Sequence, residues 1–179
     1  MTTPPDKTLS DLSGEWRLNK SLSIDVASVL ALQGTSTLVR KAIGSASVTL
    51  KISQPKENQY SIKQTATAAA VPGTTEQYIL DNDWRTNKDA FFGEVEGRSR
   101  WVSFKEAEKL CDSRSTWDDR DNGTLIFAEG GKKDESWRAW RIWGFEELEG
   151  QIRYTQTVKV WTKDGEELQG KMVYDFAKY

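Results

Sequence analysis

The chain has no histidine, and that absence removes whole classes of chemistry before any motif is weighed. Ser-His-Asp and Cys-His catalysis, the HExxH zinc site and the facial iron triad all need an imidazole. Cys111 is the only cysteine, so no intrachain disulfide can form and no thiolate set for zinc exists. Without a histidine base, a nucleophilic role for Cys111 is not expected. No stretch approaches the roughly eighteen consecutive apolar residues of a membrane span. The opening Met1 to Ser10 also lacks the basic start and apolar run of a secretory signal. Charge of one sign is missing too: 25 basic and 27 acidic residues are interspersed for a net −2, which leaves no footprint for nucleic acid or an anionic membrane surface. These absences predict a cytoplasmic protein, monomer or homodimer, with no cofactor, no metal, no nucleic-acid partner and no membrane insertion.

What the chain has in excess is tryptophan, eight in 179 residues, a length that suits one domain. Trp is large and stiff with a single donor, so such a set suits a thick core or the wall of an aromatic pocket. Residues 1–8, polar with two prolines, are expected to be a disordered leader, and residues 9–179 a single domain. Leu12 to Leu18 alternates as a strand with Leu12, Trp16 and Leu18 on one face. Ser23 is a candidate cap for a short helix bearing Val26, Val29 and Leu30, ended by Gly34. A second helix, roughly Ser36 to Ile43, follows at once.

From Ser45 onward the pattern is β, in short runs divided by turn signals. Nine further strands are expected: 45–53, 60–67, 74–80 after a Pro72-Gly73 turn, 90–96 and 98–104 as a hairpin about Gly97, 124–129, 136–143, 152–163 and 166–176. The last two are joined by Asp164-Gly165, a strong tight-turn signal. Residues 105–120 read as a charged loop with at most a helical turn. The fold class is all-β: a ten-stranded antiparallel up-and-down barrel with a two-helix cap after the first strand. Closure removes exposed strand edges, and the helix pair can lid the open end.

Gly14-Glu15-Trp16-Arg17-Leu18, then Leu30 to Gly34, then Val39-Arg40-Lys41-Ala42-Ile43, resembles the opening of the intracellular lipid-binding proteins, the fatty-acid-binding branch of the calycins. The chain is also similar to lipocalin-like proteins of filamentous fungi through Leu-Ala-Leu-Gln-Gly at 30–34, Arg-Lys-Ala-Ile at 40–43, Gly-Arg-Ser-Arg-Trp-Val at 97–102 and Val-Tyr-Asp-Phe at 173–176. The resemblance implies a barrel with a helical portal and an interior ligand. It also implies a carboxylate clamp with an Arg-x-Tyr in the last strand, of which only Tyr174 is present, because Met172 stands two residues before it. Lys171 cannot substitute, since it falls on the opposite face from Tyr174. A bulky, neutral, largely hydrophobic guest therefore fits better than a fatty acid.

Strand parity selects the wall. Met172, Tyr174 and Phe176 share one face of the last strand; Ile152, Tyr154, Gln156, Val158 and Val160 share one face of the strand before it. Tyr154, Gln156 and Tyr174 would be polar handles in an apolar lining, or simply packed tyrosines bonded to backbone. In 98–104 either Arg98, Arg100, Val102 and Phe104 face inward, or Ser99, Trp101 and Ser103 do; the first register is adopted because its face ends in Val and Phe. Residues 137–143 are equally two-faced, with Trp137, Arg141 and Trp143 on one side and Arg138, Trp140 and Ile142 on the other. The expected ligand-binding set is Arg98, Arg100, Trp140, Tyr154, Gln156, Met172 and Tyr174. Trp16 is expected in the core at the closed end, and Trp84 and Trp117 near the mouth or an edge. The acidic pairs Asp118-Asp119 and Glu146-Glu147 read as solvated.

Two functions follow. The first is a carrier that sequesters a hydrophobic or aromatic metabolite. The second is a cofactor-independent cyclase or isomerase of fungal secondary metabolism, with Arg100, Tyr154 and Tyr174 as the donors. Positioning and a few hydrogen bonds would suffice for it.

Overall fold

A computed structural model describes residues 3–67, 71, 73–111 and 116–179. Pro72 of the expected turn, residues 112–115 of the expected loop and residues 1–2 of the leader lie outside them.

The chain forms strand β1 (Gly14–Leu18), helices α1 (Val26–Leu32) and α2 (Thr37–Ser45), then β2 (Val48–Lys56), β3 (Gln59–Ala66), β4 (Thr74–Ile79), β5 (Arg85–Asp89) and β6 (Gly93–Ser103). Helix α3 (Phe104–Cys111) leads to β7 (Thr124–Lys132), β8 (Trp137–Leu148), β9 (Gln151–Thr162) and β10 (Glu167–Lys178). All ten strands belong to one antiparallel sheet in the order β4-β3-β2-β1-β10-β9-β8-β7-β6-β5. The sheet curls into a nearly closed barrel, so β4 and β5 meet at a seam. No ladder joins β4 to β5 among the described residues. Side chain and loop contacts bridge it instead: Ser99 donates to the Ile79 carbonyl at 3.0 Å, and the Asn82 N–H to the Ser99 carbonyl at 2.9 Å.

Local chemistry explains each departure from the sequence reading. Asp25, not Ser23, caps α1, its carboxylate accepting from the Ala27 N–H; Ser23 instead ties to Asn19 and Val173. Ser36 caps α2. The expected hairpin about Gly97 is one continuous strand, β6, and the turn lies before it. There the Asp89 carboxylate accepts from the N–H groups of Phe91 and Phe92, and Gly93 takes a left-handed φ of 75°. The true partner strand, β5, is Arg-Thr-Asn-Lys-Asp, which has no apolar residue to betray a period.

Within the stretch expected to be a loop, α3 buries Ala107 and Cys111 and packs on β6 and β7. It lies against the outer surface of the barrel, where the Cys111 carbonyl accepts from Gln169 and Glu106 pairs with Arg100. Trp117 continues this outer layer, its indole covering Gly144.

Residues 3–8 are packed, which corrects the expectation of a disordered leader. The Thr3 N–H donates to the Ile152 carbonyl, and Thr3 and Lys7 are buried. The Lys7 ammonium lies over the rings of Tyr179 and Phe176 and bonds to Asp11, so a charged residue is buried with its charge answered. With Leu9 and Leu12, both fully buried, this segment floors the closed end. There Trp16 packs on Phe145, Tyr154 and Phe176 at centroid distances of 6.2, 5.3 and 5.0 Å, and its indole donates to the Leu12 carbonyl.

Candidate functional site

The inner wall can be read row by row from the ladder register, since paired residues share a face. One inward row runs Phe145, Tyr154, Tyr174, Leu18; the next runs Trp101, Ile126, Trp143, Gln156, Met172. A third runs Ser99, Ala128, Arg141, Val158, Gly170, and a fourth Gly97, Gly130, Ala139, Val160. Toward the open end the interior therefore loses side-chain volume, and space appears.

That space has two compartments. One, about 100 Å³, lies under α1 and α2 and is lined by Val26, Val29, Leu30, Val39, Ile43, Val158, Val160, Gln156, Met172 and Tyr174. The other, about 340 Å³, opens at the β4–β5 seam and is lined by Tyr78, Ile79, Phe92, Val95, Trp137, Ala139 and Arg141. Gln33, Glu76, Asp89, Phe92 and Arg141 border both and mark the junction between them.

Arg141 is the polar centre of this junction. Its Nη1 lies 3.3 Å from the Tyr78 hydroxyl and 3.5 Å from a Glu76 carboxylate oxygen, and Tyr78 in turn donates to Glu76. The Tyr78 and Glu76 oxygens favour the charged form of the guanidinium against the cost of its partial burial. Burial is also the main cause that pushes the Tyr78, Tyr154 and Tyr174 phenols well up, with Glu76 adding to it at Tyr78. All three therefore remain neutral at physiological pH. Tyr154 and Tyr174 stack at 5.4 Å, Gln156 donates to the Tyr154 hydroxyl at 2.7 Å, and among the described residues the Tyr174 hydroxyl has only the Met172 sulfur, at 3.6 Å. A sulfur is a weak acceptor, which leaves Tyr174 free to exchange it for a better one.

Of the residues expected from sequence, Gln156, Met172 and Tyr174 line the helix-capped compartment, and Tyr154 lies directly behind Gln156. Three do not face the interior. Arg98 and Arg100 point outward because Ser99 and Trp101 take the inner face. Arg98 pairs with Glu129 and lies over Trp84, and the pair borders the seam compartment at its outer rim, while Arg100 pairs with Glu106 at 2.7 Å and lies over Phe127. Trp140 is likewise outward, on the row Arg98, Glu129, Trp140, Lys159. Glu146, expected to be solvated, is buried on the outer face, accepting from Thr155 at 2.8 Å and from Lys171. Arg141, Glu76 and Tyr78 are the functional candidates missing from the sequence-derived set. An arginine alternating with Trp137, Trp143 and Phe145 was the available signal for Arg141.

No family model matches the chain. It is 26% identical over 178 residues to a probable pericyclase, scpY, of Mollisia scopiformis, covering 97% of this chain and 94% of that protein. It is 23% identical over 181 residues to the pericyclase pydY of an Acremonium species, covering 98% and 97%. Among solved structures, fatty-acid-binding protein 1 of Echinococcus granulosus superposes with a TM-score of 0.60 at 14% identity, over 93% of this chain and 97% of that one. The chain thus folds as a calycin-like barrel of the fatty-acid-binding type, and it is similar from end to end to two fungal proteins that bear the pericyclase name.

Proposed function

We propose that the barrel binds a bulky, largely hydrophobic small molecule and acts on it as a cofactor-independent pericyclase, closing a ring within the bound molecule. The observation that carries this reading is Arg141: a cation facing inward, braced by Glu76 and Tyr78, where two compartments with much apolar lining meet. A carrier of neutral apolar molecules gains little from a charge inside its cavity, because burying it carries a desolvation cost. A ring-closing enzyme gains much. An intramolecular cycloaddition turns π bonds into σ bonds within one molecule, and no atom or electron enters or leaves. Two contributions can accelerate it: folding the chain so that its reacting ends meet, and hydrogen bonding a conjugated carbonyl more strongly as the transition state polarises. The walls supply the first and Arg141 the second, with Tyr174 and Gln156 as further handles. The pericyclase activity for which the two fungal relatives are named supports the same reading.

The test is to delete the gene in its host, isolate the open-chain precursor that accumulates, and incubate it with purified protein. An isomer of identical mass, formed over many turnovers, is the expected result. Arg141→Met should slow it by about 100-fold, as for loss of one transition-state donor, with a lowered melting temperature but a folded protein, because Glu76 and Tyr78 lose their cationic partner. A precursor that binds tightly and is recovered unchanged would overturn the enzyme reading and leave a carrier.

A further inference from the structure

The seam compartment owes its size to a bare patch of inner wall. On β6, β7 and β8 the inward positions are Gly97, Gly130 and Ala139 in one row and Ser99 and Ala128 in the next, with Arg141 at its edge. Backbone spacing makes this patch about 10 Å across three strands and about 7 Å along them. The glycines are held small by contact: a Cβ on Gly130 would fall 2.3 Å from the Glu96 carbonyl oxygen, and one on Gly97 would fall 3.1 Å from that of Glu129. Below the patch the wall thickens abruptly to Trp101, Ile126 and Trp143. Beyond it stands Trp137, packed edge-on against Phe92 at 5.1 Å. The Trp137 indole N–H is buried and finds no acceptor among the described residues. The helix-capped compartment is different in kind, smaller and lined largely by aliphatic side chains.

We infer that the two compartments take the two ends of one amphiphilic guest. A flat, oxygen-bearing ring system lies on the glycine-alanine shelf beside Trp137 with an oxygen toward Arg141, and a flexible hydrocarbon chain runs under α1 and α2. The shelf has the footprint of a bicyclic ring, and a rigid planar group fills it without the entropy cost of ordering a chain. The Trp137 indole has no acceptor among the described residues and Arg141 spends only part of its guanidinium on Tyr78 and Glu76, so a purely hydrocarbon guest would leave donors unmatched. This orientation deepens the proposed function but does not depend on turnover.

Two neutral fluorescent ketones test it: prodan, a planar naphthyl head with a short chain, and laurdan, the same head with a long chain. Wild-type protein should bind both, laurdan at least tenfold tighter. Ala139→Leu, which fills the shelf, should weaken both by at least tenfold. Leu30→Trp, which fills the space under α1, should weaken laurdan to the level of prodan and leave prodan within about twofold. Trp137→Phe should weaken prodan several-fold and shift its emission to the blue. Circular dichroism and melting curves establish that each variant is folded, and Ala139→Ser, which stays small, controls for substitution at that site. Full prodan affinity in Ala139→Leu, prodan lost in Leu30→Trp, or no binding of either probe to wild type would overturn the orientation. None of these results bears on whether the protein turns over a substrate.

Discussion

The closed end and the seam side are built on the same strands and differ in what those strands carry. On β8, Phe145 and Trp143 fill the closed end, and four residues earlier Ala139 leaves the wall bare. On β7, Ile126 gives way to Ala128 and then Gly130. The backbone ladder is continuous through both halves, so the cavity is not a defect in the fold. It is a gradient of side-chain volume along strands of uniform geometry. At the closed end each ring has another ring or the residue 3–12 segment against it; at the seam the same wall faces space.

That contrast can be broken most severely at Trp16. Trp16→Ala should cost about 3–5 kcal/mol, because the site is too crowded with rings to collapse, and chemical denaturation will show the lowered midpoint. A loss below about 1 kcal/mol would mean the closed end is loosely packed. Glu146→Ala comes next, at about 2 kcal/mol. It strands Lys171 and Thr155 beneath the outer layer, but Lys171 retains some solvent, which tempers the loss. Guest affinity in that variant should be unchanged once it is folded, since Glu146 faces away from the cavity. Smallest is Arg98→Ala, below about 1 kcal/mol and within about threefold in ligand titration, because its contacts with Glu129 and Trp84 are partly exposed and lie at the outer rim of the seam compartment. A tenfold drop in guest affinity there would return Arg98 to the inner wall.

The sequence was legible where the outward positions of a strand are polar, as Arg153, Thr155 and Thr157 are in β9, and opaque where they are apolar. In β9 and β10, parity alone identified Tyr154, Gln156, Met172 and Tyr174 as inward, and all four are. The Asp164-Gly165 turn also stands, with Gly165 at a φ of 87°. In β6 the face Arg98, Arg100, Val102 looked internal because it ends in apolar residues. Those residues are apolar for another reason: α3 and the segment around Trp117 cover the outside of the barrel, so Val102, Leu125 and Ile142 are buried there. Alternation then carries no label for inside. Trp140 misled in the same way. Glu76 and Tyr78 were hidden by the weak apolar contrast of β4, Thr-Thr-Glu-Gln-Tyr-Ile, and no local pattern in the chain announces that they meet Arg141 across the barrel.

The seam between β4 and β5 sets a limit of another sort. Elsewhere, widening the barrel would mean breaking a whole ladder; here it means parting individual side-chain and loop bonds, among them those of Ser99 to Ile79 and Asn82, of Trp101 to Asn58 and of Arg141 to Tyr78 and Glu76. The barrel wall is therefore weakest along the line where the larger compartment opens.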